Sequence, residues 1–483
     1  MTCYSHSGCS LVAFLLVTAA ACQPAQHVIY IDTDAPIAGQ ILAEPRLSPD
    51  AAIDMVRIDT LGAHGELIDV CIIQAPDPSD WPISFGVAPG SVDGPYYVRV
   101  RGFRSMRSNQ RDAAGFRSRC GGAHPQAEPA SINEPWPEST IDRVAALPAI
   151  GSSLSRWRID LSLSCMGASP SFIDSTTCID GSERSAPSAR AMPEQTDNPT
   201  RSEVSTLAWE KDCAPPPPGV PDRICIKGGF SLQGDYRYVN YGDDKVYDPV
   251  PLRAVHVAPF YIDQTEYTVE RLRRTLLTHP EIAPPVPENE QMPMYQPYCT
   301  WTLPNPQLPV NCFQWRSAQA ACAAAQGSLP TEAQWDHAAR GRGRGRTYPW
   351  GEEFPGCQRG SFGRKTAGPI AVQACAGEGP EPVGSHRSSP TNGGGDESLD
   401  RVVDMGGSMH EYLMDSVSAY AERCGLLRGV TEDPLCLRPD RNGHMARGGW
   451  WSAGPGIAAG AIRYPAVNSS IMGFRCVYPG VKP

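Results

Sequence analysis

The chain has 483 residues, a formal net charge of −10, and 48 prolines, 46 glycines and 17 cysteines among its residues. That length accommodates roughly two to four domains, and the acidic balance excludes a phosphate-binding surface and with it a nucleic-acid partner. So much proline and glycine points to a loop-rich chain with little helix.

At the N-terminus, residues 11–21 (LVAFLLVTAAA) are apolar throughout but too short to cross a bilayer as a helix, which reads as an export signal. Ala19, Ala20 and Ala21 supply the small residues a signal peptidase needs, and Cys22 follows at once. This resembles a bacterial lipobox and makes residues 1–22 a lipoprotein-type signal, with Cys22 the lipidated residue. The expected location is the cell envelope, lipid-anchored at the outer membrane or cell surface. Cysteine parity agrees. With Cys3 and Cys9 removed and Cys22 lipidated, fourteen cysteines remain to pair in an oxidising compartment. No CxxC spacing occurs, so they read as staples rather than a metal cluster.

Residues 23–180 read as an all-β, sandwich-like domain. Met55–Ile58 and Leu67–Val70 flank Gly-Ala-His-Gly, a hairpin pattern. In PYYVRVRGF (95–103), Tyr96, Val98 and Val100 lie opposite Tyr97, Arg99 and Arg101; in SRWRIDLSLSC (155–165), Trp157, Ile159, Leu161, Leu163 and Cys165 share one face. No catalytic constellation occurs here, and the expected role is a binding or spacer module. Residues 181–223 are rich in Pro, Ser and charge, include Pro215–Pro218, and read as a linker.

From residue 224 the pattern is mixed. A strand is expected around Val255–Ile262, then a helix on which Val269, Leu272 and Leu276 share a side. A second, alanine-rich helix covers 317–326 and stops at Gly327. In SLPTEAQWDHAARGRGRGRTYPWG, Thr331 and Gln334 make a capping box for a third helix that Gly341 ends, with Trp335 a core anchor. The Gly-Arg tract that follows reads as a solvated loop, since the chain is acidic.

SLPTEAQWDHAARG resembles a signature of the formylglycine-generating enzymes, the sulfatase-modifying factor family. GGF (228–230), FYIDQTEYT (260–268), PVNCFQW (309–315), YPWG (348–351), DMGGSMHEY (404–412), RGGWW (447–451) and MGFRC (472–476) are similar to further family blocks in the same order. The resemblance implies an α+β chain whose residues 224–483 have a C-type-lectin-like fold. It also implies oxidation of a protein cysteine to formylglycine with oxygen and copper, through two cysteines between the RGG and GFR blocks. That interval here, SAGPGIAAGAIRYPAVNSSI (452–471), contains no cysteine; Ala458 and Arg463 fall near the expected positions, and Ile471 replaces the family's Asn.

Copper(I) prefers soft thiolates, and 452–471 offers neither thiolate nor imidazole, so copper is left without ligands. Calcium is the cofactor that the resemblance leaves open. Its family ligands in the DMxGNVWEW block fall on Ser408 and Glu411, with Ser in place of Asn weakening the site. The resemblance also pairs Cys322 with Cys476. Proximity alone offers Cys165–Cys178, Cys299–Cys312, Cys357–Cys375 and Cys424–Cys436. The expected function is therefore recognition of a protein or glycan by a non-catalytic domain, with Trp451, Arg463 and Tyr464 as contact residues. The alternative is an oxygen-dependent oxidoreductase of sulfatase maturation.

Overall fold

The structure, a computed structural model, describes residues 25–35, 37, 53–75, 78–92, 94–103, 137–192, 211–215, 223–235, 238, 249–250, 252–287, 294–366, 375–388, 395–420, 422, 430–439 and 442–480. Cys22, Cys424 and the middle of the expected linker lie outside them. None of the described helices is long and apolar enough to cross a membrane.

Among the described residues, the first half builds one small two-stranded sheet and two four-stranded sheets. In one, strand Gln26–Thr33 runs parallel to Leu154–Leu161 and antiparallel to Ile83–Val87, and Arg190–Ala191 adds an edge. The other is antiparallel throughout, in the order Leu67–Gln74, Met55–Leu61, Tyr96–Phe103, Thr140–Leu147. Alternation of side chains decides the packing. Ile29, Ile31 and Ile159 from the first sheet and Val56, Ile58, Val98, Val100 and Ile141 from the second meet in one buried cluster. The expected hairpin forms, with Met55–Leu61 paired to Leu67–Gln74. The outward face is not left to solvent as the alternation alone implies. Arg101 is 2% exposed and ion-paired to Asp59, which also holds Arg57 at 2.8 Å, while Arg99 meets Asp142 at 2.6 Å. Pairing is what makes burial of these charges tolerable.

Both ends of the expected linker belong to folded structure, which corrects the boundary 181–223. Ser182–Ser185 pairs with Thr177–Ile179, and Arg190–Ala191 with the 154–161 strand. At the other end Lys211 bridges to Gly228, Cys213 is bonded to Cys225, and the Ala214 amide donates to Gly480.

Among the described residues, the second half holds three small sheets and three α-helices, α1 (Val269–Thr278), α2 (Trp315–Ala324) and α3 (Glu332–Ala339). The strand expected over 255–262 is two strands, Arg253–Val257 and Phe260–Asp263, in different sheets. Pro259, between them, has no N–H for a ladder. α2 stops before Gly327: Gln326 takes the left-handed turn at φ +60°, and Gly327 is needed because a Cβ there would lie 2.5 Å from the Val477 carbonyl. The Gly-Arg tract is half-buried rather than solvated, because Gly343 lies against the Phe230 carbonyl, 2.3 Å from where a Cβ would sit. The two halves touch, since Leu232 and Ala254 join the buried cluster of the N-terminal sheets.

Disulfides fix the loops. Cys322–Cys476 closes at an S–S distance of 2.02 Å, and Cys165–Cys178, Cys299–Cys312 and Cys357–Cys375 are also bonded. Cys436 is disulfide-bonded as well, and its proposed partner Cys424 lies outside the described residues.

Candidate functional site

The chain segment from 447 to 471, which includes the interval 452–471 where the chemistry is expected, is positioned from behind by α3. Thr331 caps that helix, its hydroxyl accepting from the Gln334 amide while the Gln334 side chain accepts from the Thr331 amide. The cap places Glu332, 2% exposed, between two arginines. Arg463 Nε donates to Glu332 Oε1 at 2.5 Å and its Nη2 to Oε2 at 2.9 Å; Arg447 Nη2 lies 2.9 Å from Oε1. Burial alone would raise the Glu332 carboxyl, but Arg463 and Arg447 outweigh it and hold the group well below the usual carboxylate range. Arg447 also donates to Asp336 at 2.9 Å, to the Gly460 carbonyl at 2.6 Å and to the Tyr420 hydroxyl at 2.6 Å. The Arg463 guanidinium lies 3.9 Å from the Tyr420 ring centroid.

A second anchor holds the 404–412 turn. Glu411, fully buried, accepts from Arg475 Nη2 at 2.6 Å through one oxygen and from Trp335 Nε1 at 2.7 Å through the other. Arg475 in turn donates to the carbonyls of Val403 and Asp263. Ser408, with φ +63°, is buried. Its amide donates to the Ser361 carbonyl and its own carbonyl accepts from Trp451.

These contacts test the calcium expectation. Both Glu411 oxygens face N–H donors, not an open coordination position, so Glu411 as placed here does not fit as a calcium ligand. Asp404 stands nearby, with its Oδ2 accepting from the Gly384 amide at 2.6 Å. Glu266 and Asp396 share that interior, and burial, with Asp404 adding repulsion, raises both carboxyls well above the usual range. Among the described residues, no three His, Cys, Asp or Glu side chains stand close enough together to hold a metal ion.

The front of the segment is aromatic. Trp450, Tyr464 and His410 pack together, with ring centroids 4.6 Å apart for His410–Trp450 and 5.1 Å for His410–Tyr464. His410 is 3% exposed, and burial pushes its imidazole down to about 4. Nδ1 lies 3.4 Å from the Arg447 carbonyl, and Nε2 meets no hydrogen-bond partner among the described residues. Beside this trio, Ala458 and Ala459 are fully buried with Ile457 and Ile462.

Of the expected contact residues, two are corrected. Trp451 is fully buried, donating to the Ser470 carbonyl and packing on Tyr295 and Tyr298. Arg463 is 2% exposed and belongs to the Glu332 network. Only Tyr464 is half-buried and reaches the front. Sequence reasoning missed His410, which has no histidine neighbour in sequence, although it stands where the family block has Trp. It also missed Cys213–Cys225, whose first member sits in a segment that reads as linker.

Every cysteine among the described residues is disulfide-bonded, including Cys71 and Cys436. The front of the segment therefore brings two partly buried aromatics and alanines against the buried neutral imidazole of His410, and it offers no thiol for redox or soft-metal chemistry.

Residues 211–479 match the sulfatase-modifying factor enzyme 1-like domain. A segment of 178 residues is 30% identical to the bovine (Bos taurus) protein named inactive C-alpha-formylglycine-generating enzyme 2, covering 37% of this chain and 52% of that one. The formylglycine-generating enzyme of Streptomyces coelicolor is 28% identical over 178 residues, covering 30% of this chain and 56% of the enzyme. The chain thus spans about half the length of the curated relatives it matches. Among solved structures, PvdO from Pseudomonas aeruginosa aligns with a TM-score of 0.40 and 18% identity, over 53% of this chain and 93% of PvdO.

Proposed function

Because the chain belongs to the sulfatase-modifying factor enzyme 1-like family, we propose that it is a non-catalytic member acting in ligand or protein recognition. One observation carries this reading. Every described cysteine is locked in a disulfide, and residues 452–471 contain none. Oxidation of a substrate cysteine by the family route needs a thiolate to exchange with substrate and to ligate copper, and this segment has none to give. A relative named as an inactive formylglycine-generating enzyme is in keeping with the reading.

The recognition surface is then the aromatic front. Tyr464 and Trp450 pack on the Ile457–Ala459 cluster, which Trp350 and Tyr348 extend, and Phe354 stands edge-on to Tyr348 and 67% exposed. Aromatics of this kind supply contact area with little side-chain entropy to lose.

The alternative, maturation of a sulfatase by oxidation of its cysteine, is tested directly. The full chain is incubated with copper, oxygen and a Cys-x-Pro-x-Arg peptide, and the peptide is examined by mass spectrometry. The expected result is unchanged peptide; aldehyde formation would sink the non-catalytic reading. The envelope anchor is a separate part of the proposal. Labelled fatty acid fed to the producing cells should appear on the protein and vanish in Cys22→Ala, and an unlabelled wild type would remove it. Calcium is not assigned, since both Glu411 oxygens face N–H donors; melts in calcium and in chelator should coincide.

A further inference from the structure

The proposal for the C-terminal domain leaves the first half of the chain without a role, and that half carries a cavity of its own. It measures about 290 Å³ and opens beside the hairpin turn at 62–66. His64, Tyr97, Ser171, Phe172, Ser175 and Thr176 supply its polar and aromatic walls, and the rest of the lining is Ala, Gly, Val and Pro. We propose that this cavity is a binding site for a neutral saccharide.

The loop that forms one wall is built rather than loose. Cys165–Cys178 closes it, Ser171 and Thr176 bridge across it, and the Ser171 hydroxyl donates to Asp174 at 2.8 Å. Ser175 is held at φ +48°, a conformation that an L side chain adopts only under constraint, and such positions gather at binding sites. Opposite stands Tyr97, fixed on the Tyr96–Phe103 strand between Leu61 and Ala146. Phe172 meets it edge-on with centroids 6.4 Å apart and remains 44% exposed, and Ile173 beside it is 97% exposed.

The chemistry of the walls selects the ligand. Tyr97 and Phe172 present ring surface to the apolar C–H groups of a pyranose. The His64 imidazole, the Tyr97 hydroxyl and the hydroxyls of Ser175 and Thr176 have no hydrogen-bond partner among the described residues, and together they provide the mixed donors and acceptors that sugar hydroxyls need. No lining residue carries a fixed charge, so a phosphate or carboxylate would find no cation. The volume lies at the small end of ligand pockets, roughly 300–1,000 Å³, which suits one or two sugar rings.

The test uses the full chain on a glycan array bearing neutral and anionic saccharides, followed by saturation-transfer NMR with the strongest neutral binder. Phe172→Ala and His64→Ala alter exposed side chains, and their thermal melts establish that the fold is kept. The expected result is a neutral glycan bound through its ring protons, with affinity lowered about tenfold in Phe172→Ala, as removal of an aromatic anchor brings. His64→Ala should weaken binding too. No neutral glycan bound at millimolar concentration, binding confined to anionic glycans, or binding indifferent to both substitutions would each overturn the proposal.

Discussion

Replacing Glu332 by Gln tests whether the 447–471 segment is held from behind as the geometry requires. The carboxylate receives Arg463 at 2.5 and 2.9 Å and Arg447 at 2.9 Å, with Arg253 at 4.0 Å, and all four side chains are at most 5% exposed. Gln keeps the volume but removes the charge and turns an amide N–H₂ toward a guanidinium. The arginines stay buried, and among the described residues Asp336 is then the only carboxylate bonded to Arg447. Removing one member of a buried pair costs about 3–5 kcal/mol, whereas an exposed pair is worth about 0–1 kcal/mol. Equilibrium unfolding in guanidinium chloride at neutral pH, with disulfides intact, should show a loss in the first range. Amide exchange should rise across 448–464. The pH dependence has a defined sign. The folded Glu332 sits below its unfolded value of about 4.3, so its stabilisation is full above that pH and is lost as pH falls toward the folded value. The gap between wild type and Glu332→Gln should therefore close on acidification below about pH 4. A loss under about 1 kcal/mol at neutral pH would refute the reasoning, because it would mean the network behaves as if it were in water.

Replacing Cys322 and Cys476 together by Ala opens a loop of 154 residues, and the chain-entropy model sets an upper loss of about 5 kcal/mol, read from denaturant midpoints under oxidising conditions. Asp415 provides the opposite pH limb. Burial first, then the Glu332 charge, pushes its carboxyl up to about 6, so its contribution is fully present below the unfolded value and is lost as pH rises from about 4 to 6. Asp415→Asn should flatten that limb by roughly 2–3 kcal/mol relative to wild type, measured as the difference between the two unfolding profiles so that buried His337 and His410, which act in the other direction, cancel. Thr331→Ala removes the hydroxyl that accepts from Gln334 and should lower stability by about 1 kcal/mol, with α3 amides exchanging faster.

What the sequence made legible follows the range of the interactions concerned. α3 was readable because its start depends on Thr331 and Gln334, three positions apart, and its period on side chains of one short segment. The alternation of Tyr96, Val98 and Val100 likewise predicts the core face of its strand. The position of Gly327 relative to the end of α2 was not readable, because the constraint is a carbonyl of Val477, 150 positions away. Burial of Arg463 and Trp451 failed for the same reason. An arginine and a tryptophan beside a suspected site read as contact residues until the partner of each is known, and those partners are Glu332 and the Ser470 carbonyl. The pairing of Cys213 was hidden differently. Pro-rich composition marks a linker, and nothing local reveals that Lys211–Ala214 returns to lie along Gly228 and Gly480.

These differences bear on why a chain would keep this domain without its thiols. The residues that frame the segment, Glu332, Arg447, Arg463, Glu411 and Arg475, are fully committed to one another and to buried carbonyls. Losing Glu332 strips Arg463 of its carboxylate, and losing Glu411 or Arg475 breaks the buried pair between them, so the frame is difficult to change one residue at a time. The front is under no such constraint. Ala458 fills its position by volume alone, and Trp450 and His410 close over it through ring contacts that need no partner beyond each other. On the proposed non-catalytic reading, chemistry can leave this fold without weakening it, and an aromatic surface on a rigid frame remains as the candidate for binding. Introducing cysteines at Ala458, near one expected family position, and at Ala453, a small buried neighbour in the same cluster, would test this separation without disturbing Arg463. Both side chains are small and buried, so the fold should tolerate the thiols. Copper binding should stay weak, because the surrounding Trp450, His410 and Ile457 were packed for an apolar front rather than for a metal. Tight copper binding by that variant, measured by competition with a chromogenic chelator, would show that the thiols were the only part missing and that the aromatic front is no obstacle to catalysis.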